Sequence, residues 1–244
     1  MIAAVTFDFW ETLVHDTPEN LARGRELRLG GIGALLADAG APQPPEALAD
    51  AYERSGVLMQ ERYWAHDRDA RIEDQVRLFL DCVGEGLAAR LGADGLAAAV
   101  ERYASPVLSL PPLLHPGAAE AVRALAARGV RLGVVSNTGR TPGVVLRRVL
   151  ARHDLLRHFA ALSYSDEVGV RKPATGIFAR ALADLGVAPG AALHVGDNPL
   201  DDVQGARRAG MRAAHYVANG AQPATDADLV VAALDELPAL LERA

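Results

Sequence analysis

The chain is poor in cysteine and in aromatic side chains. Cys82 is the only cysteine among 244 residues, which excludes an intrachain disulfide and a cluster of thiolate metal ligands. We expect it to be a buried residue of a helix rather than a nucleophile. Aromatic residues make up 5% of the sequence, whereas Ala, Leu, Val and Arg dominate, and this composition favours helices packed on a Val- and Leu-rich sheet.

Three kinds of segment are also missing. No apolar stretch reaches the length that spans a membrane, and no basic region followed by an apolar segment marks a secretory signal. The net charge is −6 and no basic block stands out, which argues against nucleic acid as a partner. We therefore expect a cytoplasmic protein that binds a small molecule and contacts neither a membrane nor a nucleic acid, as a monomer or a homodimer.

Short apolar runs indicate the strands of a buried sheet. They cover residues 2–7, 130–135, 160–164, 191–195, 211–217 and 228–231. Helical segments alternate with all but the first of these runs, and this order predicts a parallel sheet with right-handed crossovers. The predicted fold class is therefore α/β.

A long helical stretch separates the first strand from the others. Apolar residues recur at helical spacing over residues 23–36, 46–63, 72–91 and 95–103. No strand signal interrupts this stretch, and the first strand has to pair with strands more than a hundred residues away. We predict an α/β domain of residues 1–16 plus 110–244, a helical domain of residues 17–109 inserted into it, and a hinge at residues 109–112.

The first strand ends in a carboxylate, Asp8. A buried carboxylate is costly unless it has a partner or a task, and ligands of open α/β sheets bind at this end of the strands. An ionised Asp can attack phosphorus or carbon and form a covalent intermediate. The hydroxyl of Thr12 could hydrogen-bond the Asp8 carboxylate and orient it. The alternative is that Asp8 caps a local turn.

Two further polar signals suit an anion. Ser136 and Asn137 follow a strand, where a hydroxyl and free backbone N–H groups can bind a phosphoryl oxygen. Taken alone, this segment is better explained by simple turn chemistry. Lys172 precedes a helix and could neutralise a nucleophile and a bound anion together. A solvated surface Lys is the alternative, and we expect its neighbour Arg171 to be solvated.

A second strand also ends in a carboxylate, Asp197. Two carboxylates plus water molecules are the oxygen ligands that Mg²⁺ prefers. Asp201 and Asp202 begin the next helix, where we expect one to support the site and the other to face solvent. These polar signals all fall at strand ends or helix starts of one sheet, so we predict a single site for a cation and an anion.

Four motifs resemble, in this order, those of the haloacid dehalogenase (HAD) superfamily of hydrolases. They are residues 8–12 (DFWET), 135–138 (VSNT), 172–173 (KP) and 196–202 (GDNPLDD). The resemblance covers essentially the whole chain, and the helical stretch matches the family's cap between the first and second motifs. It implies a Rossmann-like parallel sheet core with an inserted α-helical cap.

The resemblance also implies roles for the metal ligands. Asp8 would be the nucleophile, and the backbone carbonyl of Trp10 and the carboxylate of Asp197 would hold Mg²⁺ together with Asp8. Asp202 is the favoured second acidic residue of the fourth motif, and Asp201 is the alternative.

The remaining implied roles concern the substrate. Ser136 and Lys172 would bind the transferred phosphoryl group, with Asn137 beside them. Thr12 completes the set of catalytic residues. Six residues of the helical stretch are candidates for substrate recognition: Tyr52, Arg54, Met59, Arg62, Tyr63 and Trp64. For most of them the favoured alternative is a place in the core of the helix bundle or on its solvated face.

One position departs from the phosphatases of the family. They usually carry a second Asp two residues after the nucleophile as general acid and base, and this chain has Trp10 there. Removing an acid/base commonly costs about 10²- to 10⁴-fold in rate. Glu11 or His15 could replace the missing general acid and base. The haloacid dehalogenases also lack that Asp and need no Mg²⁺, but they lack the Gly-Asp pair that begins the fourth motif here.

The leading hypothesis is Mg²⁺-dependent hydrolysis of a small phosphorylated metabolite through an aspartyl-phosphate at Asp8. A second hypothesis is hydrolysis of a 2-haloacid, which explains Trp10 and leaves Asp197 unexplained. A third is a catalytically weak module that binds a phosphorylated ligand or a partner protein.

Overall fold

The computed structural model describes residues 2–218, 222, 224 and 226–243, so the predicted domain limits at residues 1 and 244 lie outside the described residues. The strands are β1 (Ala4–Phe7), β2 (Val14–His15), β3 (Leu113–Leu114), β4 (Arg131–Ser136), β5 (Phe159–Tyr164), β6 (Ala192–Gly196), β7 (Arg212–Tyr216) and β8 (Leu229–Val231). The helices are α1 (Pro18–Asp38), α2 (Pro45–Arg62), α3 (Ile72–Val83), α4 (Leu87–Ala104), α5 (Pro106–Ser109), α6 (Ala118–Ala127), α7 (Gly143–Arg152), α8 (Ser165–Val168), α9 (Thr175–Leu185), α10 (Gly205–Arg208) and α11 (Leu237–Arg243).

Six strands form one parallel sheet in the order β5-β4-β1-β6-β7-β8. The first strand lies in the interior of the sheet, where Val5 is opposite Leu132 of β4 and Leu193 of β6. Both edges of β1 are therefore paired, and its four residues are all buried. The predicted α/β fold class and the long-range pairing of the first strand are confirmed.

Helices cover both faces of the sheet. Val5 and Phe7 pack in a cluster with α6 and α7, whereas Ala4 packs in a second cluster with α9 and α10. Successive residues of a strand point to opposite faces, which is why one apolar run can fill both layers. Because the strands are parallel, the carboxyl ends of β1, β4 and β6 meet at one edge of the sheet.

Helices α1 to α4, named here the helical insert, lie between β2 and β3, which pair with each other. The insert has a hydrophobic cluster of its own, built around Phe79 and Tyr103. The division into two domains stays a prediction. Among the described residues no helix is both long enough and apolar enough to cross a membrane.

Two predicted helices of this stretch have different limits. The segment predicted as one helix over 72–91 divides, because α3 ends before Gly84 and α4 begins after Gly86, which has a φ of 70°. The helix predicted over 95–103 is the second part of α4, which is interrupted at Gly92 with a φ of 68°. A glycine reaches such positive φ values without steric cost.

The helix predicted to begin at Asp201 differs as well. A π-helical turn covers Pro199–Gln204 and continues into α10. The side chain of Asn198 caps this turn by accepting hydrogen bonds from the amides of Leu200 and Asp201. A π-turn is wider than an α-turn and changes the direction of the side chains that it carries.

Candidate active site

A buried lysine lies between two carboxylates at the carboxyl edge of the sheet. The Nζ atom of Lys172 is 2.6 Å from Oδ1 of Asp8 and 2.6 Å from Oδ1 of Asp202. All three side chains are buried. Burial alone would lower the pKa of Lys172, but the charges of Asp202 and Asp8 outweigh it and raise that pKa, so the ammonium group stays charged. A solvated Lys172, the alternative left open by the sequence, does not describe this structure.

The π-turn directs Asp202 back toward β6. Its Oδ1 is also 2.9 Å from Nε2 of His194, and its Oδ2 accepts a hydrogen bond from the amide of Asn198 at 3.0 Å. A Cβ atom at Gly196 would lie 2.1 Å from Cγ of Asp202, so this close approach requires glycine. Burial would raise the pKa of Asp202, but Lys172 and His194 lower it well below its usual range.

His194 also belongs to the site, and it is not among the site residues that the sequence predicts. It is fully buried, and burial lowers its pKa, which favours a neutral ring. Its Nδ1 is 2.8 Å from Oγ1 of Thr6, so the neutral ring can accept from Thr6 and donate through Nε2 to Asp202. A signal was available, because Thr6 and His194 are polar residues inside apolar strands and lie opposite each other in the register.

Three carboxylates form a group suited to a cation. Oxygen atoms of Asp8, Asp197 and Asp202 lie within 4.8 Å of one another. Burial raises the pKa of Asp8 to about 7 and that of Asp197 to about 6, with the charge of Asp202 adding to both. Lys172 supplies one positive charge against these three carboxylates. The donor set therefore fits a divalent cation, and the oxygens of Asp202 are already engaged with protein donors.

Thr12 is placed differently from its expected contact. Its hydroxyl is fully buried, and its partner, at 3.5 Å, is Oδ1 of Asp197 rather than Asp8. The backbone turns at Glu11, which has a φ of 56°. Thr12 is thus carried to the carboxylate at the end of β6, next to β1. It can orient Asp197, and the expected hydrogen bond to Asp8 is absent among the described contacts.

Asn137 positions Lys172 rather than pointing a free amide into the site. Its Oδ1 accepts from the amide of Lys172 at 2.7 Å, and its Nδ2 donates to the carbonyl of Lys172 at 3.0 Å and to Oδ2 of Asp201 at 3.1 Å. Asp201 is half-buried and holds Asn137, so it does not simply face solvent. Ser136 ends β4 and is fully buried, and its hydroxyl is 3.3 Å from the carbonyl of Asn137.

Arg171 is not solvated as expected from the sequence. Its Nη1 lies 2.8 Å from Oδ2 of Asp69, whose side chain is fully buried. The same Asp69 oxygen accepts from the hydroxyl of Ser165 at 2.5 Å, and Oδ1 accepts from Nε1 of Trp64 at 2.9 Å. Arg171 also donates to the carbonyl of Thr138 at 2.6 Å. This pair joins the segment after α2 to the loop that follows Ser136 and to the loop that carries Lys172.

Trp10 lines a cavity of about 450 Å³ between the helical insert and the loop after β4. Its ring packs edge-on against Phe9 with centroids 5.1 Å apart. Among the residues expected to recognise substrate, Tyr52 lines this cavity, whereas Met59 is buried in the insert and Trp64 bonds to Asp69.

Neither candidate for the missing acid contacts the nucleophile position. Glu11 is exposed, and the His15 ring lies against that of His115 with centroids 4.7 Å apart. Among the described residues, Lys172 is the one that makes an ion pair with Asp8. A proton donor for a leaving group therefore has to come from elsewhere, such as solvent.

Known proteins share this architecture. Residues 2–210 match the model of the haloacid dehalogenase-like hydrolases. A phosphoserine phosphatase of Thermus thermophilus is 40% identical over 112 residues, which is 45% of this chain but only 43% of that enzyme's length. The chain therefore aligns with less than half of this relative.

Two solved structures match over the full chain. A 2-haloacid dehalogenase from Pseudomonas syringae pv. Tomato is 28% identical with a TM-score of 0.70, and covers 100% of this chain and 99% of its own. A HAD phosphatase from Thermococcus onnurineus is 26% identical with a TM-score of 0.63, and covers 99% and 98%. With a family match over most of its length, the chain belongs to the haloacid dehalogenase-like hydrolases.

Proposed function

We propose that the protein is a Mg²⁺-dependent phosphatase of small phosphorylated metabolites. The observation that carries this proposal is the carboxylate pair of Asp8 and Asp197 beside the buried ammonium group of Lys172. The carboxylates suit a hard divalent cation, and the ammonium group suits the oxygens of a phosphoryl group. The phosphatase relative from Thermus thermophilus supports the same reaction class.

The proposed reaction has two displacements at phosphorus. An oxygen of Asp8 attacks the phosphorus atom, the bond to the leaving oxygen breaks, and an aspartyl-phosphate forms. Water then attacks the same phosphorus atom, which releases inorganic phosphate and restores the Asp8 carboxylate. Lys172 neutralises charge on the phosphoryl oxygens in both steps, and Ser136 is placed at the end of β4 to donate a hydrogen bond to one of them.

Asp8, Asp197 and the backbone carbonyl of Trp10 would hold the metal ion. When bound, Mg²⁺ would neutralise phosphoryl charge and so favour attack by an anionic carboxylate. Asp202 is assigned a positioning role, because its hydrogen bonds to Lys172, His194 and Asn198 occupy its oxygens.

The absence of an acid at Trp10 limits the substrates that react well. With no acid at position 10 and solvent as the source of protons, the leaving oxygen departs largely as an anion, so acyl and aryl phosphates should react faster than alkyl phosphates. The dehalogenase alternative explains Trp10, but it gives no reason for a carboxylate at Asp197 beside Asp8. A module that only binds a phosphorylated ligand would also use the charge of Lys172, but it gives no reason for the Asp8 carboxylate beside that ammonium group.

The test is release of phosphate from 4-nitrophenyl phosphate with and without Mg²⁺. We expect activity that EDTA abolishes and that is lost in Asp8→Asn but retained in Asp184→Asn, a control at an exposed ion pair. Activity that survives Asp8→Asn would refute the proposal. Release of chloride from 2-chloropropionate in the presence of EDTA would instead support the dehalogenase alternative. A rise in melting temperature with phosphate, without turnover of either compound, would support the binding module.

A further inference from the structure

Arginines from two parts of the chain meet in the cavity beside Trp10. Arg25 and Arg28 come from α1, and Arg140 comes from the loop after β4. Trp10 and Arg140 follow Asp8 and Ser136 by two and four residues, so the cavity adjoins the candidate active site. Arg28 is only 8% exposed.

Among the described residues, the guanidinium groups of Arg28 and Arg140 donate hydrogen bonds to neutral acceptors only. Arg28 donates from Nε to the carbonyl of Tyr103 at 2.5 Å and from Nη1 to the hydroxyl of Tyr52 at 3.2 Å. Arg140 donates to the carbonyl of Tyr52 at 2.8 Å, to the hydroxyl of Ser55 at 3.4 Å and to the hydroxyl of Tyr103. Arg28 is buried and Arg140 is half-buried. A buried charge that lacks a counter-charge is costly, which points to a missing anion.

The surroundings of the cavity leave this positive charge largely uncompensated. Arg25 forms an exposed ion pair with Glu53 at 2.6 Å, and its buried Nε has no hydrogen-bond partner among the described residues. Asp16 is the one carboxylate among the described residues that line the cavity, and its Oδ1 accepts from the amide of Thr17. Because Arg25 is paired with Glu53, Arg28 and Arg140 are the two arginines of the cavity that face one aspartate, Asp16.

Aromatic rings hold two of the guanidinium groups in place. The Cζ atom of Arg140 lies 3.5 Å from the centroid of the Tyr52 ring, and that of Arg28 lies 5.1 Å from the centroid of the Tyr103 ring. Gly56 leaves room for this arrangement, because a Cβ atom there would lie 2.7 Å from Nη2 of Arg140. A fixed planar guanidinium group is well suited to binding an oxyanion through paired hydrogen bonds.

We propose that this cavity binds an oxyanion on the leaving group, a carboxylate or a second phosphoryl group. The proposal rests on the proposed phosphatase function and names its substrate class, which is phosphate monoesters that carry a second anionic group. Arg28 and Arg140 would bind that anion while the ester phosphate lies beside Asp8 and Lys172. Trp10 would then line the leaving-group pocket, at the position where phosphatases of the family usually carry the general acid and base.

The kinetic test compares aryl phosphates that differ in the group at the 4-position, which is anionic in two of them and neutral in the third. The substrates are 4-carboxyphenyl phosphate, 4-phosphonophenyl phosphate and the neutral 4-carbamoylphenyl phosphate. We expect kcat/KM to be about 10- to 100-fold higher for the better anion than for the carbamoyl compound, as for a hydrogen bond to a charged group. The anionic substrate with the higher kcat/KM shows whether the cavity prefers a carboxylate or a phosphoryl group.

Three variants and a control locate the effect. Arg28→Met and Arg140→Met should each reduce the anionic preference toward unity, and Arg140→Lys should keep part of it. Arg23→Met, an exposed arginine on the same helix, should keep all of it. A wild-type preference near unity would overturn the proposal. So would variants that slow charged and neutral substrates equally, since that result would assign Arg28 and Arg140 a structural role alone.

A binding measurement separates this proposal from the phosphatase function. If the cavity binds an anion, 4-hydroxybenzoate or 4-hydroxyphenylphosphonate raises the melting temperature of the wild type more than neutral 4-hydroxybenzamide does, and Arg140→Met removes the difference. This readout needs no phosphoryl transfer. A stabilising anion with no turnover of any aryl phosphate would refute the phosphatase function only, and equal effects of the acids and the amide would refute the anion site.

Discussion

The side-chain amide of Asn137 binds the main chain of Lys172 on both sides, donating to its carbonyl at 3.0 Å and accepting from its N–H at 2.7 Å. These two bonds fix the loop from which the Lys172 side chain reaches Asp8 and Asp202. Asn137 of the second motif therefore positions Lys172 of the third motif through hydrogen bonds from its side chain to the Lys172 backbone. Neither segment of the sequence predicts this contact by itself.

Replacing Asn137 should disturb catalysis through Lys172. Asn137→Ala leaves two half-buried backbone groups without partners, so we expect a loss of about 1–3 kcal/mol in the free energy of unfolding. We also expect kcat for 4-nitrophenyl phosphate to fall at least about tenfold, since small misplacements of charged groups are costly in catalysis. Gln43→Ala, which removes an amide with one 3.4 Å contact, is the control. An unchanged kcat in Asn137→Ala would contradict this role.

The buried pair of Asp69 and Arg171 should be important for stability. Asp69→Asn leaves the guanidinium group of Arg171 without its carboxylate, and breaking a buried pair in this way costs about 3–5 kcal/mol. Urea unfolding gives the change, and the exposed pair of Arg180 and Asp184 gives the control, in which Asp184→Asn should have no measurable effect. A double variant Asp69→Asn/Arg171→Met that loses as much as the sum of the single variants would show that the pair is not coupled.

Asp166 should make stability depend on pH. Its buried carboxylate accepts from the amide of Gly143 at 3.0 Å, and burial raises its pKa to about 6. The unfolded chain has a value of about 3.9 for Asp, so the folded state binds more protons between these values. The contribution of Asp166 is therefore fully present below about pH 4 and is lost as the pH rises through about 6.

Asp166→Asn tests this dependence because an amide oxygen can still accept from Gly143. We expect the variant to be more stable than the wild type near neutral pH by up to about 2–3 kcal/mol, because folding raises the pKa of Asp166 to about 6. The difference should vanish toward pH 4. Denaturant unfolding at a series of pH values measures it, and a difference that stays constant with pH would contradict the raised pKa.

Replacing a proposed metal ligand should abolish the stabilisation of the folded protein by Mg²⁺. Mg²⁺ that binds the folded state raises the melting temperature of the wild type. Asp197→Asn should abolish most of that rise. Asp201→Asn, whose side chain lies outside the carboxylate group and contacts Asn137, should keep it. An equal rise in the wild type and in Asp197→Asn would place the ion elsewhere.

The sequence located much of the fold and of the site because the relevant signals are local. Asp8 and Asp197 each follow an apolar strand, and strands of a parallel sheet end at the same edge, so their proximity follows from topology. Lys172 was identified by its place before a helix. The contact between its ammonium group and Asp8 is long-range, and the sequence could only suggest it through the resemblance.

What the sequence did not reveal depends on contacts between distant segments. Asp69 and Arg171 are separated by about a hundred residues and have no common pattern, so Arg171 looked like a surface residue. His194 looked like part of an apolar strand, although Thr6 lies opposite it. The sequence predicts a helix that begins at Asp201, whereas a π-turn covers Pro199–Gln204, because the two conformations tolerate the same side chains.

The most direct test of the central claim is to trap the phosphorylated enzyme. The protein would be mixed with an aryl phosphate labelled in its phosphoryl group, in the presence of Mg²⁺, quenched in acid and digested. We predict label on the peptide that contains Asp8, and none in Asp8→Asn or after treatment with EDTA. Label on another residue, or steady turnover of the wild type that does not require Asp8, would contradict the account.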